Sequence, residues 1–189
     1  MAEYNKKILN NIENHPELLK NYIEKIMKEA KVDGSENKEM ILVKELWYIL
    51  AFWEQIETKL LDHEVLRKNL RIYSENLLKN YPDDSDLLLS LGYMMSVLTY
   101  LFIETNSDEE YTSIESKGRN MIEEAYKIKP NAVSEKIMVE MNMENRLQNI
   151  NTEFIINKLK ERIKSSNSYL PENCLFNIYF NEILGKSSE

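Results

Sequence analysis

The stretch "DLLLSLGYMMSVLTYLFIE", residues 86–104, runs for seventeen residues between Asp86 and Glu104 without a charge. Its reading decides the fold. A spanning helix needs about 20 predominantly apolar residues, with a lower limit near 17. Residues 87–103 only reach that limit, and they include Ser90, Gly92, Ser96 and Thr99. Both flanks are acidic, and no Lys or Arg falls between Lys79 and Lys117, so the usual cationic anchor is missing. The stretch therefore reads as a helix buried on all sides within a helical protein, not as a membrane span.

The rest of the composition agrees. The chain has 189 residues, enough for one well-buried domain, and its 43% apolar and 30% charged content suits a globular protein. Only four Gly and four Pro occur, too few for the turns of an all-β or α/β fold, so long helices with few breaks are expected. Lysine (19) far outnumbers arginine (5), a bias expected of an AT-rich, bacterial genome. Cys174 is the single cysteine, which permits no intrachain disulfide and points to a cytoplasmic setting. The opening "MAEYNKKILNNIENHP" has no apolar core of signal-peptide type.

Outward from the central run, apolar periodicity predicts seven or eight helices in antiparallel hairpins. Pro16 opens a first helix with the pairs Leu18/Leu19, Tyr22/Ile23 and Ile26/Met27, and Gly34 ends it. A second is expected over about 38–61, where "LWYILAFW" (46–53) is apolar all round. A third, 63–80, carries a stripe at Leu66, Leu70, Tyr73 and Leu77, followed by Asp84 or Ser85 as a cap for the fourth, 86–104. The fifth places Tyr111, Ile114, Gly118, Ile122 and Ala125 on one face and stops at Pro130, leaving Asn131 as a cap. Weaker patterns over "IMVEMNMENRL" and "TEFIINKLKERI", and "PENCLFNIYFNEIL" behind Pro171, complete the set. The expected organisation is one all-α domain. An N-terminal helix and loop span 14–37, two hairpins span 38–130, further helices span 131–184, and a loose tail spans 185–189.

The two central hairpins close alike, one with "LLKNYPDD" and the next with "AYKIKPNA". Leu88, Leu91 and Gly92, then Gly118, Ile122, Ala125 and Pro130, stand at the spacings of a tetratricopeptide repeat, with both glycines where that repeat wants close helix approach. In the first hairpin, Trp47, Leu50 and Ala51 fit, while Leu77 occupies a small-residue position. Residues 44–130 thus resemble a divergent tetratricopeptide-like pair, lengthened because Pro82 and Pro130 lie 48 residues apart rather than 34. The resemblance implies a right-handed solenoid that binds protein or peptide, without catalysis. An irregular helical bundle is the alternative reading of the same pattern.

No enzymatic motif is found. His15 and His63 lack the Glu-x-x-His or His-Glu-x-x-His context of a metal helix, and both stand beside helix starts. Cys174 lies among apolar residues and reads as a small buried hydrophobe. Four scattered glycines make no phosphate loop, and no cofactor is implied. Met94, Met95, Met121, Met138, Met141 and Met143 gather centrally, as core filler or as an adaptable surface.

Charge is more informative. Between Asn80 and Ser116 stand eight acids and no base: Asp83, Asp84, Asp86, Glu104, Asp108, Glu109, Glu110 and Glu115. Their charge of −8 equals that of the whole chain. A continuous fourth helix rising about 1.5 Å per residue would hold the Asp83–Asp86 group and the Glu104–Glu110 group roughly 30 Å apart. Such acids complement helix starts, and they also suit a basic partner. Nucleic acid as a direct ligand is disfavoured, because phosphate needs a basic surface.

The functional expectation is a protein-binding scaffold, most specifically an acidic immunity or antitoxin-like protein that neutralises a basic toxin. Asp83, Asp84, Asp86, Glu104, Asp108, Glu109 and Glu110 would meet the partner. A tetratricopeptide-like adaptor holding a linear peptide, with Tyr93 and Tyr100 lining its groove, is the alternative. A helical enzyme with dispersed carboxylates is the third.

Overall fold

The computed structural model describes residues 15–56, 58–105, 107–141, 152–171 and 173–186. Among them the chain is all-α, with eight α-helices, one short 3₁₀ turn and no strand. In chain order these are α1 Pro16–Asp33, α2 Glu36–Ala51, α3 His63–Asn80, α4 Ser85–Val97, α5 Asp108–Ile128, α6 Ala132–Met141, α7 Thr152–Ser165 and α8 Leu175–Ile183. The 3₁₀ turn, Thr99–Leu101, follows α4. No helix of the described residues is long and apolar enough to cross a membrane.

The residues form two compact units. Among the described residues, one gathers those of 15–82, 100–102 and 171–179; the other gathers those of 83–99, 103–170 and 180–186. In the first, α1 packs on α2 and α2 on α3. In the second, α4 packs most extensively on α5, α5 on α6 and α6 on α7. Only Gly34 and Ser35 separate α1 from α2, and residues 129–131 separate α5 from α6.

Local chemistry sets most boundaries as expected. Pro16 opens α1 and Gly34 closes it at φ 57°, a left-handed conformation that costs glycine nothing. Asp62 caps α3 by accepting from Val65 N at 3.0 Å, and Asp84 caps α4 by accepting from Leu87 N at 2.7 Å. Asn131 Oδ1 accepts from Val133 N and Ser134 N, both at 3.0 Å, starting α6.

Four boundaries differ from the sequence pattern. The second helix stops at Ala51, and the described residues of 52–62 turn repeatedly instead of continuing the helix to 61. The fourth stops at Val97, where Leu98 leaves helical geometry at φ −130°, ψ 61°, and buried Thr99 donates its hydroxyl to Met95 O at 2.7 Å. Apolar character persists through Ile103, because Leu101, Phe102 and Ile103 are buried without being helical. Burial and helicity are separate properties, and an uncharged run reports only the first. The eighth starts at Leu175, later than Pro171, and the sixth begins five residues earlier than Ile137. The remainder of "IMVEMNMENRL" and the last three residues of the tail lie outside the described residues.

The central run is a wall of the second unit. Leu87 through Met95 are all buried, including Ser90 and Gly92. Each Leu withdrawn from water there contributes roughly 2 kcal/mol. The packing is set by two glycines. A Cβ built on Gly92 would lie 2.7 Å from Gly118 O and 2.8 Å from Ile122 Cγ1. One built on Gly118 would lie 2.6 Å from Ser96 Oγ and 2.8 Å from Gly92 O. Helices α4 and α5 therefore touch backbone to backbone, which is the close approach expected of this glycine pair. Met94, Met95 and Met121 fill the same core; Met138 and Met141 are half-buried and Met143 lies outside the described residues. On α5 only Gly118, Met121, Ile122 and Ala125 are buried, so the expected stripe fails at its start: Tyr111 is exposed.

Replacing Gly92 by Ala normally gains about 1 kcal/mol of helix propensity. Here the methyl would meet a carbonyl oxygen that cannot turn aside, and overpacking of that kind costs about 1–3 kcal/mol. Gly92→Ala and Gly118→Ala should therefore each lower the urea midpoint. A rise in midpoint for both would show that α4 and α5 can separate freely.

Candidate partner-binding surface

The acidic residues of the central region all belong to the second unit and fall in two groups. Asp83 and Asp86 are exposed at the start of α4, while Asp84 is half-buried and occupied as its cap. Glu104, Asp108 and Glu109 are exposed around the start of α5. The regular part of α4 spans only 13 residues, about 18 Å of rise, so the roughly 30 Å expected of an unbroken helix does not apply.

The second group is built by the loop ahead of α5. Ser107 is the cap, its hydroxyl accepting from Glu110 N at 3.1 Å. The Glu110 carboxylate reaches back and accepts from Glu104 N and from Thr105 N, each at 2.7 Å, and from the Thr105 hydroxyl at 2.5 Å. This is a capping box whose acid extends past the cap into the loop. Glu110 is thus a loop staple, and its assignment as a partner contact gives way to a positioning role. The signal was present in the sequence as Ser107-x-x-Glu110. Asp108 and Glu109 occupy the first turn, where the unpaired N–H groups favour negative charge. Beside them Thr112, Ser113 and Ser116 complete the lining of an open depression, three hydroxyl residues that sequence reasoning did not single out.

A stretch free of basic residues is not a surface free of them. Lys129, at the far end of α5, brings its ammonium within 3.7 Å of Asp86. Arg119 forms an ion pair with Glu115 at 2.9 Å and also donates to Met141 O at 3.0 Å. Both pairs are well exposed and add little stability, but they dilute the local field. Among the described residues no cation stands within ion-pair distance of Asp83, Asp108 or Glu109.

The two candidate tyrosines differ in exposure and belong to different units. Tyr93 is 6% exposed and packs edge-on against Phe180, with ring centroids 5.0 Å apart. It is core, and the expectation that it faces a peptide is corrected accordingly. Tyr100 is 44% exposed but belongs to the first unit. The exposed aromatic side chain of the second unit that stands near Asp108 in sequence is Tyr111, one turn along α5.

Of the remaining reactive groups, His63 and Cys174 are tied into structure. His63 Nδ1 lies 3.2 Å from Glu64 and its ring stands edge-on to Trp53. His15 precedes α1 without a side-chain cap bond. Cys174 is fully buried, and burial pushes its thiol up to about 12. Among the described residues no group of three or more His, Cys, Asp or Glu side chains converges as a metal site. Comparison with protein-family models, curated proteins and solved structures finds no significant match to this chain.

Glu110 and Glu109 are neighbours in sequence with different work to do. Glu110→Ala should speed amide exchange at Glu104 and Thr105 by about tenfold and cost about 1–2 kcal/mol, the scale of lost bonds to a charged acceptor. Glu109→Ala, on an exposed position, should stay within about 0.5 kcal/mol of the parent. Equal effects from the two variants would remove the staple.

Proposed function

We propose that this protein is a non-catalytic protein-binding scaffold, most specifically an acidic immunity or antitoxin-like protein that neutralises a basic toxin. The observation that carries the reading is the exposed pair Asp108 and Glu109, fixed on the first turn of α5 with no base within ion-pair distance among the described residues. Charges of this kind steer encounter with a cationic partner, because a field already aimed outward raises the association rate more than the final affinity. The shallow, hydroxyl-lined depression beside them suits polar contact with a folded surface better than enclosure of a small molecule. The partner is therefore a basic protein, with nucleic acid disfavoured on the same electrostatic ground. The immunity assignment rests on the analogy of a small, acidic, helical, lysine-rich chain, and the protein-binding assignment on the surface itself.

A tetratricopeptide-like adaptor is the second reading. The glycine contact between α4 and α5 favours it, since that repeat needs the same close approach within a helix pair. The burial of Tyr93 weakens it by removing one expected liner of a peptide groove.

Affinity capture from a bacterial lysate, washed at low and then high salt, tests the reading. A single basic, folded partner recovered near one-to-one supports neutralisation, whereas several partners sharing one short segment support the adaptor. With that partner in hand, Asp108→Lys together with Glu109→Lys should slow association about tenfold at 50 mM salt and much less at 500 mM, as screening shortens to a few ångström. An association rate indifferent to salt in the parent chain would sink the electrostatic mechanism.

A further inference from the structure

The first unit contains a buried carboxylate that the binding surface does not use. Glu45, on α2, is completely buried, and its Oε1 accepts from Tyr22 Oη at 2.6 Å and from Leu175 N at 2.8 Å. Leu175 is the first residue of α8 and lies 130 positions further along the chain. The residue ahead of α8 is Cys174, whose side chain is not of the capping type. Glu45 therefore supplies from another helix what Asp84 and Asn131 supply locally to α4 and α6: an acceptor oxygen for an orphan N–H at a helix start.

The surroundings of this start include further contacts with α2. Phe176 packs edge-on against Trp47, ring centroids 5.4 Å apart, and the Lys44 ammonium stands 5.6 Å over the Phe176 ring. Helix α8 has only nine residues, shorter than the dozen or so at which isolated helices become even marginal. The segment leading into it is irregular, with exposed Ser166 and Pro171. Local bonds tie α8 to the segment ahead of it, with Asn177 donating to Pro171 O and Asn173 Oδ1, both at 2.9 Å, but the attachment of its first N–H to the rest of the first unit is a tertiary clasp made by the Glu45 carboxylate. Cys174 reports on the same place. Its thiol is pushed up to about 12 chiefly by burial, then by the charge of Glu45, with Lys44 acting in the opposite sense.

We infer that Cys174 and the first turn of α8 open locally, without unfolding of the rest of the first unit, and that Glu45 is the group that keeps them shut. The device makes the only thiol of the chain conditionally accessible. Regions of this kind, short and held by a few distant contacts, open at lower free energy than the core they dock on.

The single cysteine makes the test direct. The full chain is labelled with Ellman's reagent at pH 8 over a urea series below the unfolding midpoint, and rates are normalised to those of the unfolded chain. The expected profile has a limb at low urea that is nearly independent of denaturant, bending into a steep limb near the midpoint. Glu45→Gln should raise the flat limb about tenfold, the scale of bonds lost to a charged acceptor. Tyr22→Phe removes one donor and keeps the carboxylate on Leu175 N, so it should raise the same limb by less and serves if Glu45→Gln fails to fold. A single steep limb in the parent chain, with the slope of global unfolding, would overturn the inference. So would a flat limb that neither substitution moves.

Discussion

The second unit depends on the absence of two side chains. With no Cβ on Gly92 or Gly118, α4 and α5 approach until the carbonyl of each glycine stands where the other's methyl would be. That approach brings Leu87 through Met95 into a common core with Met121, Ile122 and Ala125. It also fixes the course of α5, and hence the direction in which its first turn carries Asp108 and Glu109. A constraint of this sort is steric rather than attractive. Apolar burial supplies the driving force, and the glycines decide the one geometry in which burial is complete.

Several buried groups are polar, and three of them are held by specific partners. Lys136 is fully buried and holds Glu140 at 2.6 Å. Asn181, 1% exposed, accepts from Leu170 N at 2.8 Å and donates to Leu170 O at 2.9 Å, so its amide pairs with a peptide group as a strand would. Glu45 joins α1, α2 and the start of α8 within the first unit. Left unpaired, groups like these would each cost about 1–3 kcal/mol or more, so they select one arrangement of helices over other compact ones. Such selectivity matters in an all-α chain whose apolar stripes could pack in several registers.

The acidic region shows how the same residue type divides between structure and surface. Asp84 and Glu110 have their oxygens engaged by backbone N–H groups, and their charge is largely consumed in starting helices. Asp86 meets Lys129, just past the end of α5 and distant in sequence, and Glu115 meets Arg119 one turn along its own helix. What remains outward is a smaller set around Asp108 and Glu109. A count of charges along the chain overstates the field a partner would meet, because folding brings cations to anions that are distant in sequence.

By itself the sequence determined the helical class, the positions of most helices and their starts. Those properties depend on neighbours within a turn or two: apolar spacing, Pro16, the caps Asp84 and Asn131, the glycine at 34. The glycine pair was also legible, through the resemblance to a tetratricopeptide repeat, which implies small residues at those two positions. The tertiary structure decided what lies beyond that range. It ended α4 at Val97 inside an unbroken apolar run, buried Tyr93 against Phe180 and set Lys129 beside Asp86. It also gave the start of α8 its cap from Glu45, 130 residues away. The reason is one of range. Periodicity and capping are written in adjacent residues, whereas a buried carboxylate or a core tyrosine is defined by what the chain folds against it.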